Sequence, residues 1–289
     1  IYPAIVSAKG VIGGLLSGRL STALHIGTIY ASLFKNTKSF YSLYAALIVT
    51  TLATSIVMSL VSLIFGLLFW GIAVENFLEI LLVVVATMCL GLVLTLVTVN
   101  VAFVTFKKGL DPDIVVYPIM STTADIFITI CYILILSIIS LFDFGKHIIA
   151  FIGLLHVILV LYILSRNIHE EEFVKTVKES LFTMMFVAFI VNLTGTVLHR
   201  ISEKVIVRGG KEIYTVYPAL IDMVGDVGSV VGCTATTKLA LGLLKPSFRA
   251  MRNHATQIFS AWIGSAIMFA LLSALSLSIN GVLYAFLSF

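Results

Sequence analysis

Val216–Leu244 reads VYPALIDMVGDVGSVVGCTATTKLALGLL, and its reading decides the architecture. The stretch is long and apolar enough to cross a bilayer, yet Asp222 and Asp226 stand one helical turn apart within it. Gly225, Ser229, Cys233 and Thr236 carry small side chains along the same side. A carboxylate at the centre of a spanning helix costs about 3 kcal/mol on insertion scales, so it marks a functional site by default. The opening of the chain repeats the pattern. Shifted by 215 positions, Tyr2, Pro3, Ala4, Gly10, Gly13, Thr22, Leu24 and Gly27 fall on Tyr217, Pro218, Ala219, Gly225, Gly228, Thr237, Leu239 and Gly242. The chain reads as two copies of one membrane module, each organised around a Gly-rich polar helix.

Composition points the same way. Apolar residues make up 60% and charged residues 11%, with a mean hydropathy of +1.14. A soluble domain holds at most about 50% apolar and about 25% charged residues. Apolar runs of about 20 residues recur, which is helix length rather than the shorter alternating pattern of barrel strands. The net charge of +4 is modest and is read through topology, with no nucleic-acid partner implied. Cys89, Cys131 and Cys233 all lie in apolar runs and read as buried thiols. The histidines show no metal-ligand spacing. The chain opens on Ile1 without a signal-peptide pattern, and a longer parent chain cut at both ends is expected.

In order, the pattern predicts helix one over Pro3–Phe34, helix two over Tyr41–Trp70, helix three over Phe77–Phe106 and helix four over Ile114–Phe142. Helix five follows over His147–Leu164, then a soluble segment Arg166–Ser180 containing Glu170–Glu172, read as a solvated cytoplasmic linker. Helix six covers Leu181–Leu198, helix seven the central stretch and helix eight Asn253–Leu275. Ser276–Phe289 begins a ninth segment that stops too soon to span. Helix one carries a stripe of Ser7, Gly10, Gly14, Ser17 and Ser21, read chiefly as packing for a close neighbour. Helix four carries Ser121, Asp125, Thr129 and Tyr132 on one side. Lys35, Lys38, Lys107, Lys108, Arg166, Lys175, Lys178, Lys245, Arg249 and Arg252 share one side of the membrane, against Lys146, Arg200, Lys204, Arg208 and Lys211 on the other. The richer side is cytoplasmic by the positive-inside rule. Helices one and seven then run the same way, and helix five is the extra crossing that makes the copies parallel.

These residues resemble the MgtE-type divalent-cation transporters, in the two-repeat form of the related eukaryotic magnesium carriers. Lys9-Gly10 with Gly18-Arg19-Leu20-Ser21-Thr22 resembles the family's second-helix signature, and Pro218–Gly228 resembles it again. Asp111-Pro112, Pro118 and Thr122-Thr123-Ala124-Asp125 resemble the fifth-helix signature, whose last Asp lines the ion pathway and binds Mg²⁺. The family's Asn after the paired glycines is replaced by Val11 in the first copy and Asp226 in the second. The resemblance implies an all-α polytopic membrane bundle of two parallel repeats, related by a pseudo-twofold and joined by an extra transmembrane helix. About eight complete spans and a partial ninth are expected. Residues 1–143 would form the first repeat, lacking its first helix; 144–180 the linker helix and cytoplasmic segment; 181–289 the second repeat, stopping before its last helix. One chain would stand for the two subunits of a dimer, with a homo-oligomer left open.

The chemistry follows. Mg²⁺ is held by one or two carboxylates plus retained water. The expected metal ligands are Asp125 and Asp226, then Asp222, with Ser121, Thr122, Thr129, Ser229, Asn100 and Arg19 along a water-lined path between helices one, four and seven. Mn²⁺ and other divalents fall within the same expectation; the absence of clustered Cys or His argues against soft metals. Channel and Na⁺-coupled exchanger both stay open. The plainer alternative for Asp125 is a structural hydrogen bond to Thr or Tyr on a neighbour. Asp222 has the alternative of pairing with Lys9, Arg19 or Lys238, and Arg19 that of pairing an Asp. The protein is expected to be a multi-pass component of the cell membrane and no enzyme. The rival functions are a membrane-embedded Mg²⁺-dependent transferase on lipid phosphates and an ion-coupled carrier of an organic solute.

Overall fold

A computed structural model describes residues 2–142, 144–207, 211–247 and 250–287. Its helices are α1 (Tyr2–Ile26), α2 (Lys38–Phe65), α3 (Phe77–Gly91), α4 (Val93–Lys107), α5 (Pro112–Leu141), α6 (Gly145–Asn167), α7 (Glu171–Val207), α8 (Lys211–Ala240) and α9 (Met251–Leu287). No strand occurs among the described residues. Backbone groups in a bilayer have no water to bond, so only such internally satisfied structure can span it. The chain divides into two compact units, Ile1–Thr196 and Val197–Phe289, with the division falling inside α7.

In the first unit α1 packs against α2, α3, α4 and α5. Ile5, Ala8, Ile12, Leu16 and Leu20 are fully or almost fully buried and meet Met58, Val84, Met88, Val99, Val116 and Ile128 in one core. On α6 the buried residues are Gly145, Ile149, Gly153, His156, Val160 and Ile163, spaced three or four apart. That single stripe faces α2, α3 and α5, while Leu154, Leu155, Ile158 and Leu161 stay exposed, as a lipid-facing surface requires. The second unit is built on the pairing of α8 with α9.

Among the described residues, six stretches are long and apolar enough to cross a membrane: Lys38–Trp70, Val74–Lys107, Pro112–Leu141, Gly145–Asn167, Glu171–Leu198 and His254–Leu275. The sequence count was about eight, plus a partial ninth. The helices outside the six are α1 and α8, which carry Lys9 and Arg19, and Asp222, Asp226 and Lys238. α1 is wrapped by four neighbours, so its own residues need not be apolar.

Several expected boundaries are corrected. Helix one ends at Ile26 rather than Phe34, because Gly27 takes φ +82° and turns the chain out of the helix. Helix two begins at Lys38, where the Thr37 hydroxyl accepts from Phe40 N at 3.4 Å, and it passes into a π turn over Gly66–Trp70. Helix three is broken at Leu92, where Leu92 N bonds Cys89 O and Thr95 N bonds Leu92 O in tighter turns. The Thr95 hydroxyl holds the break by donating to Leu92 O at 2.6 Å. The ninth segment is no separate element: α9 continues unbroken through it. Arg208 and Arg249, counted among the loop cations, lie outside the described residues.

The largest correction concerns Arg166–Ser180. α6 runs on to Asn167 and α7 already starts at Glu171. Phe173 is 1% exposed among Ala46, Val49 and Leu52 of α2, and Thr176 and Ser180 are buried on the same side. Three polar contacts fix this end. Glu170 pairs with Lys38 at 2.7 Å, Glu172 accepts from the Ser39 hydroxyl at 3.1 Å, and Glu179 pairs with Arg19 at 2.6 Å. Two of the three place acids at the N-terminus of α2, where unpaired N–H groups favour negative charge. The acidic run is thus an amphipathic first turn rather than a solvated linker.

α1 and α8 end alike. Gly27 N bonds Leu24 O at 3.2 Å, and Thr28 N and Ile29 N both reach Ala23 O. Shifted by 215 positions, Gly242 N bonds Leu239 O at 3.1 Å, and Leu243 N and Leu244 N both reach Lys238 O. Both glycines take the left-handed conformation, φ +82° and +72°. This is a glycine C-cap that satisfies the last carbonyls of each helix.

A packed α7 start has a measurable consequence. Phe173→Ala is expected to destabilise the folded protein by about 3 kcal/mol or more, as truncating a buried Phe does. A solvated linker would tolerate the change. Thermal unfolding in detergent, read by circular dichroism beside the exposed-site control Phe182→Ala, separates the two.

Candidate cation-binding face of α1 and α5

α5 opens with Asp111 as its cap, the carboxylate accepting from Asp113 N at 2.9 Å, and with Pro112 in the first turn. Pro fits there because the first N–H groups have no helical partner. A second proline, Pro118, lies inside α5 and leaves Ile114 O without its usual donor. The Thr122 hydroxyl donates to Pro118 O at 3.2 Å one turn on.

α1 and α5 run antiparallel along their full lengths, as three contacts show. Near the start of α1, the Tyr2 hydroxyl lies 2.6 Å from Thr129 Oγ1, and the Tyr2 and Tyr132 rings are 5.4 Å apart. Midway, Tyr117 lies over the glycines: a Cβ on Gly14 would come within 3.1 Å of its ring, and one on Gly10 within 3.8 Å of its hydroxyl. At the end of α1, His25 approaches Asp111. The small-residue stripe of α1 therefore seats an aromatic side chain, and only the absence of a Cβ lets α5 come so close. α3 reaches α5 by the same device, since a Cβ on Gly91 would lie 2.7 Å from Ile128 Cδ1. Lys9, 5% exposed, runs its stem past Gly91 at the α3–α4 break.

Asp125 lies half-buried about 20 Å along α5 from Pro112, at 1.5 Å per residue. Ser121, one turn earlier, is buried, and Thr122 is exposed. Thr129, one turn later, donates its hydroxyl to Asp125 O at 2.5 Å. These four residues form one polar patch on α5. The other sequence candidates fall elsewhere. Arg19 is held by Glu179 and by Thr176, which accepts at 2.7 Å, so its partners are on α7 and include no Asp. Asn100 is exposed on α4 and donates to Leu96 O of its own helix at 2.9 Å.

In the second unit Asp226 is 8% exposed, and Asp222 and Ser229 are half-buried along α8. Lys238 donates to Gln257 of α9 at 2.5 Å, and His254 approaches Val231 O at 3.3 Å. A Cβ on Gly225, Gly228 or Gly232 would meet nothing within 4 Å, in contrast to Gly14.

Sequence reasoning missed Tyr117, although Tyr117-Pro118 repeats the Tyr-Pro pair that heads both signature helices. It also missed His156, 1% exposed on a helix read as plainly apolar. The Leu, Ile and Val on either side of it, Leu154-Leu155 and Val157–Leu161, carried no signal.

An acid in mid-span of a helical bundle, flanked by hydroxyls one turn to either side, marks a candidate functional site by default. The comparison with known families agrees: residues 2–135, from α1 through Asp125, match the family model described as MgtE, divalent cation transporter. The match covers just under half of the chain, and among the described residues six stretches are long and apolar enough to cross a membrane. No curated protein and no solved structure matches the chain.

The glycine seat is testable. Gly14→Val drives a side chain into the Tyr117 ring and is expected to cost about 1–3 kcal/mol, the usual range for overpacking. Gly13→Ala, with open space around its Cβ, is expected to leave the melting temperature in detergent unchanged.

Proposed function

We propose that the protein moves Mg²⁺ or a similar hard divalent cation across the bilayer along the polar patch of α5, with Asp125 as its carboxylate ligand. The observation that carries this reading is the half-buried carboxylate in mid-span, inside the segment that matches the transporter family. Mg²⁺ keeps several waters and needs few protein ligands. Ser121, Thr122 and Thr129 are the groups to receive those waters. Asp226 and Asp222 are the second unit's ligands, with Ser229 beside them. Arg19 acts as the tie between α1 and α7, and Asn100 takes no part.

The division of the chain into two repeats belongs to the same proposal. It is supported by the 215-residue offset and by the matching glycine caps of α1 and α8. Coupling to Na⁺ gains no support from the family match, and transport is proposed without it.

Mg²⁺ flux into proteoliposomes tests the reading. Asp125→Asn keeps the shape of the side chain and removes its charge. Flux is expected to fall at least tenfold in Asp125→Asn, and to fall in Asp226→Asn. Wild-type flux persisting unchanged in both variants sinks the assignment.

A further inference from the structure

We propose that His25, Asp111 and Asp113 form a second divalent-cation site at the end of the α1–α5 pair, separate from Asp125 and suited to borderline ions such as Mn²⁺, Co²⁺ or Zn²⁺. One ligand atom from each of the three residues lies within 4.8 Å of the other two. The residues come from two places in the chain, the last turn of α1 and the cap and first turn of α5. Metal–ligand bonds of about 2.1 Å set neighbouring ligands about 3 Å apart and opposite ones about 4.2 Å apart, so the cluster needs only a small contraction to close on an ion.

The imidazole is oriented for this. His25 Nδ1 lies 2.8 Å from Ser21 O, and a carbonyl only accepts, so Nδ1 carries the hydrogen. Nε2 then turns toward the carboxylates, 3.9 Å from Asp111 Oδ1 and beyond hydrogen-bond reach. Metal-binding histidines are commonly fixed in this way, with the second ring nitrogen donating to a backbone carbonyl. Phe106 holds the ring from its edge, centroids 5.7 Å apart at 84°. Asp113 is 3% exposed, a carboxylate enclosed at a helix end and removed from the mid-span patch. Two carboxylates and an imidazole nitrogen converge there, and the imidazole nitrogen shifts preference from Mg²⁺ toward borderline metals. Asp113 and Asp125 are twelve residues apart on one helix, about 18 Å at 1.5 Å per residue, so one ion cannot serve both. An ion here would clasp the end of α1 to the α4–α5 turn.

The test is Mn²⁺ binding to the purified full chain in nanodiscs, followed by loss of the free-ion electron paramagnetic resonance signal and by the rise in melting temperature. The wild type is expected to bind Mn²⁺ with high affinity and to show the thermal shift. His25→Ala and Asp113→Asn are expected to weaken it at least tenfold and to lose the thermal shift. His25 is partly exposed, so its variant decides the matter even where Asp113→Asn folds poorly. Wild-type Mn²⁺ affinity in His25→Ala overturns the proposal. So does binding that vanishes in Asp125→Asn alone, or no Mn²⁺ bound by the wild type at millimolar concentration. Failure of Mg²⁺ flux in the Asp125 experiment would leave this result untouched, because binding at the helix end does not require transport.

Discussion

The close antiparallel pairing of α1 with α5 is the constraint on which the first unit depends. Helices in lipid gain nothing from hiding apolar surface from water, since the acyl chains are as apolar as leucine; close packing and interhelical hydrogen bonds must hold them together. The pairing supplies both. Tyr117 fills the space left by Gly10 and Gly14, and the Tyr2–Thr129 bond secures the far end. α5 stays one continuous helix through Pro118 and presents Asp125 with Ser121 and Thr129 one turn away on either side. Remove the close approach, and the acid loses its fixed position relative to the helix that faces it.

The remaining polar groups inside the first unit are mostly self-sufficient. Along α2, Thr51, Ser55 and Ser59 each donate to the carbonyl four residues back, at 2.8 Å. Such hydroxyls cost little to bury and leave a narrow seam for neighbours. Ser62 and Asn192 make one hydrogen bond between α2 and α7, at 3.0 Å. Arg19 and Glu179 are about a third and a half exposed, so solvent screens the pair and it adds little stability. Its effect is positional: it sets α7 beside α1 at the end where Phe173 packs. Against this background Asp125 differs in kind. A hydroxyl can satisfy itself on its own helix, whereas a carboxylate in mid-span draws a partner of opposite charge or an ion.

The helical class and the membrane setting were legible in the sequence, because each rests on local composition. Runs of apolar residues reveal spans without knowledge of their neighbours, and a lone acid in such a run is conspicuous. What was not legible depended on contacts between distant segments. The run through Leu92 is uninterrupted in sequence; its break reflects Gly91 meeting Ile128 of α5 and Thr95 closing the turn. The acidic Glu170–Glu172 looked solvated because their partners, Lys38 and Ser39, are more than 130 residues away. Arg19 looked like part of the pathway for the same reason, its partner Glu179 lying 160 positions on. His25, Asp111 and Asp113 showed no ligand spacing in sequence because one of the three belongs to another helix.

The two signature helices separate the local from the non-local most clearly. Their caps coincide to the residue, for a glycine in the left-handed conformation and the carbonyls behind it are determined by the chain within one turn. Their packing does not coincide. Gly10 and Gly14 lie under Tyr117, while Gly225, the counterpart of Gly10, has open space around it, and the counterpart of Gly14 is Ser229. A serine Cβ at the position of Gly14 would meet the tyrosine ring at 3.1 Å, so α8 is not shaped to receive an aromatic residue as α1 does. It carries instead Asp226 where α1 has Val11. One helix has spent its small face on holding a neighbour, and the other keeps that face open beside a carboxylate. The backbone endings of α1 and α8 are thus alike, while their faces differ.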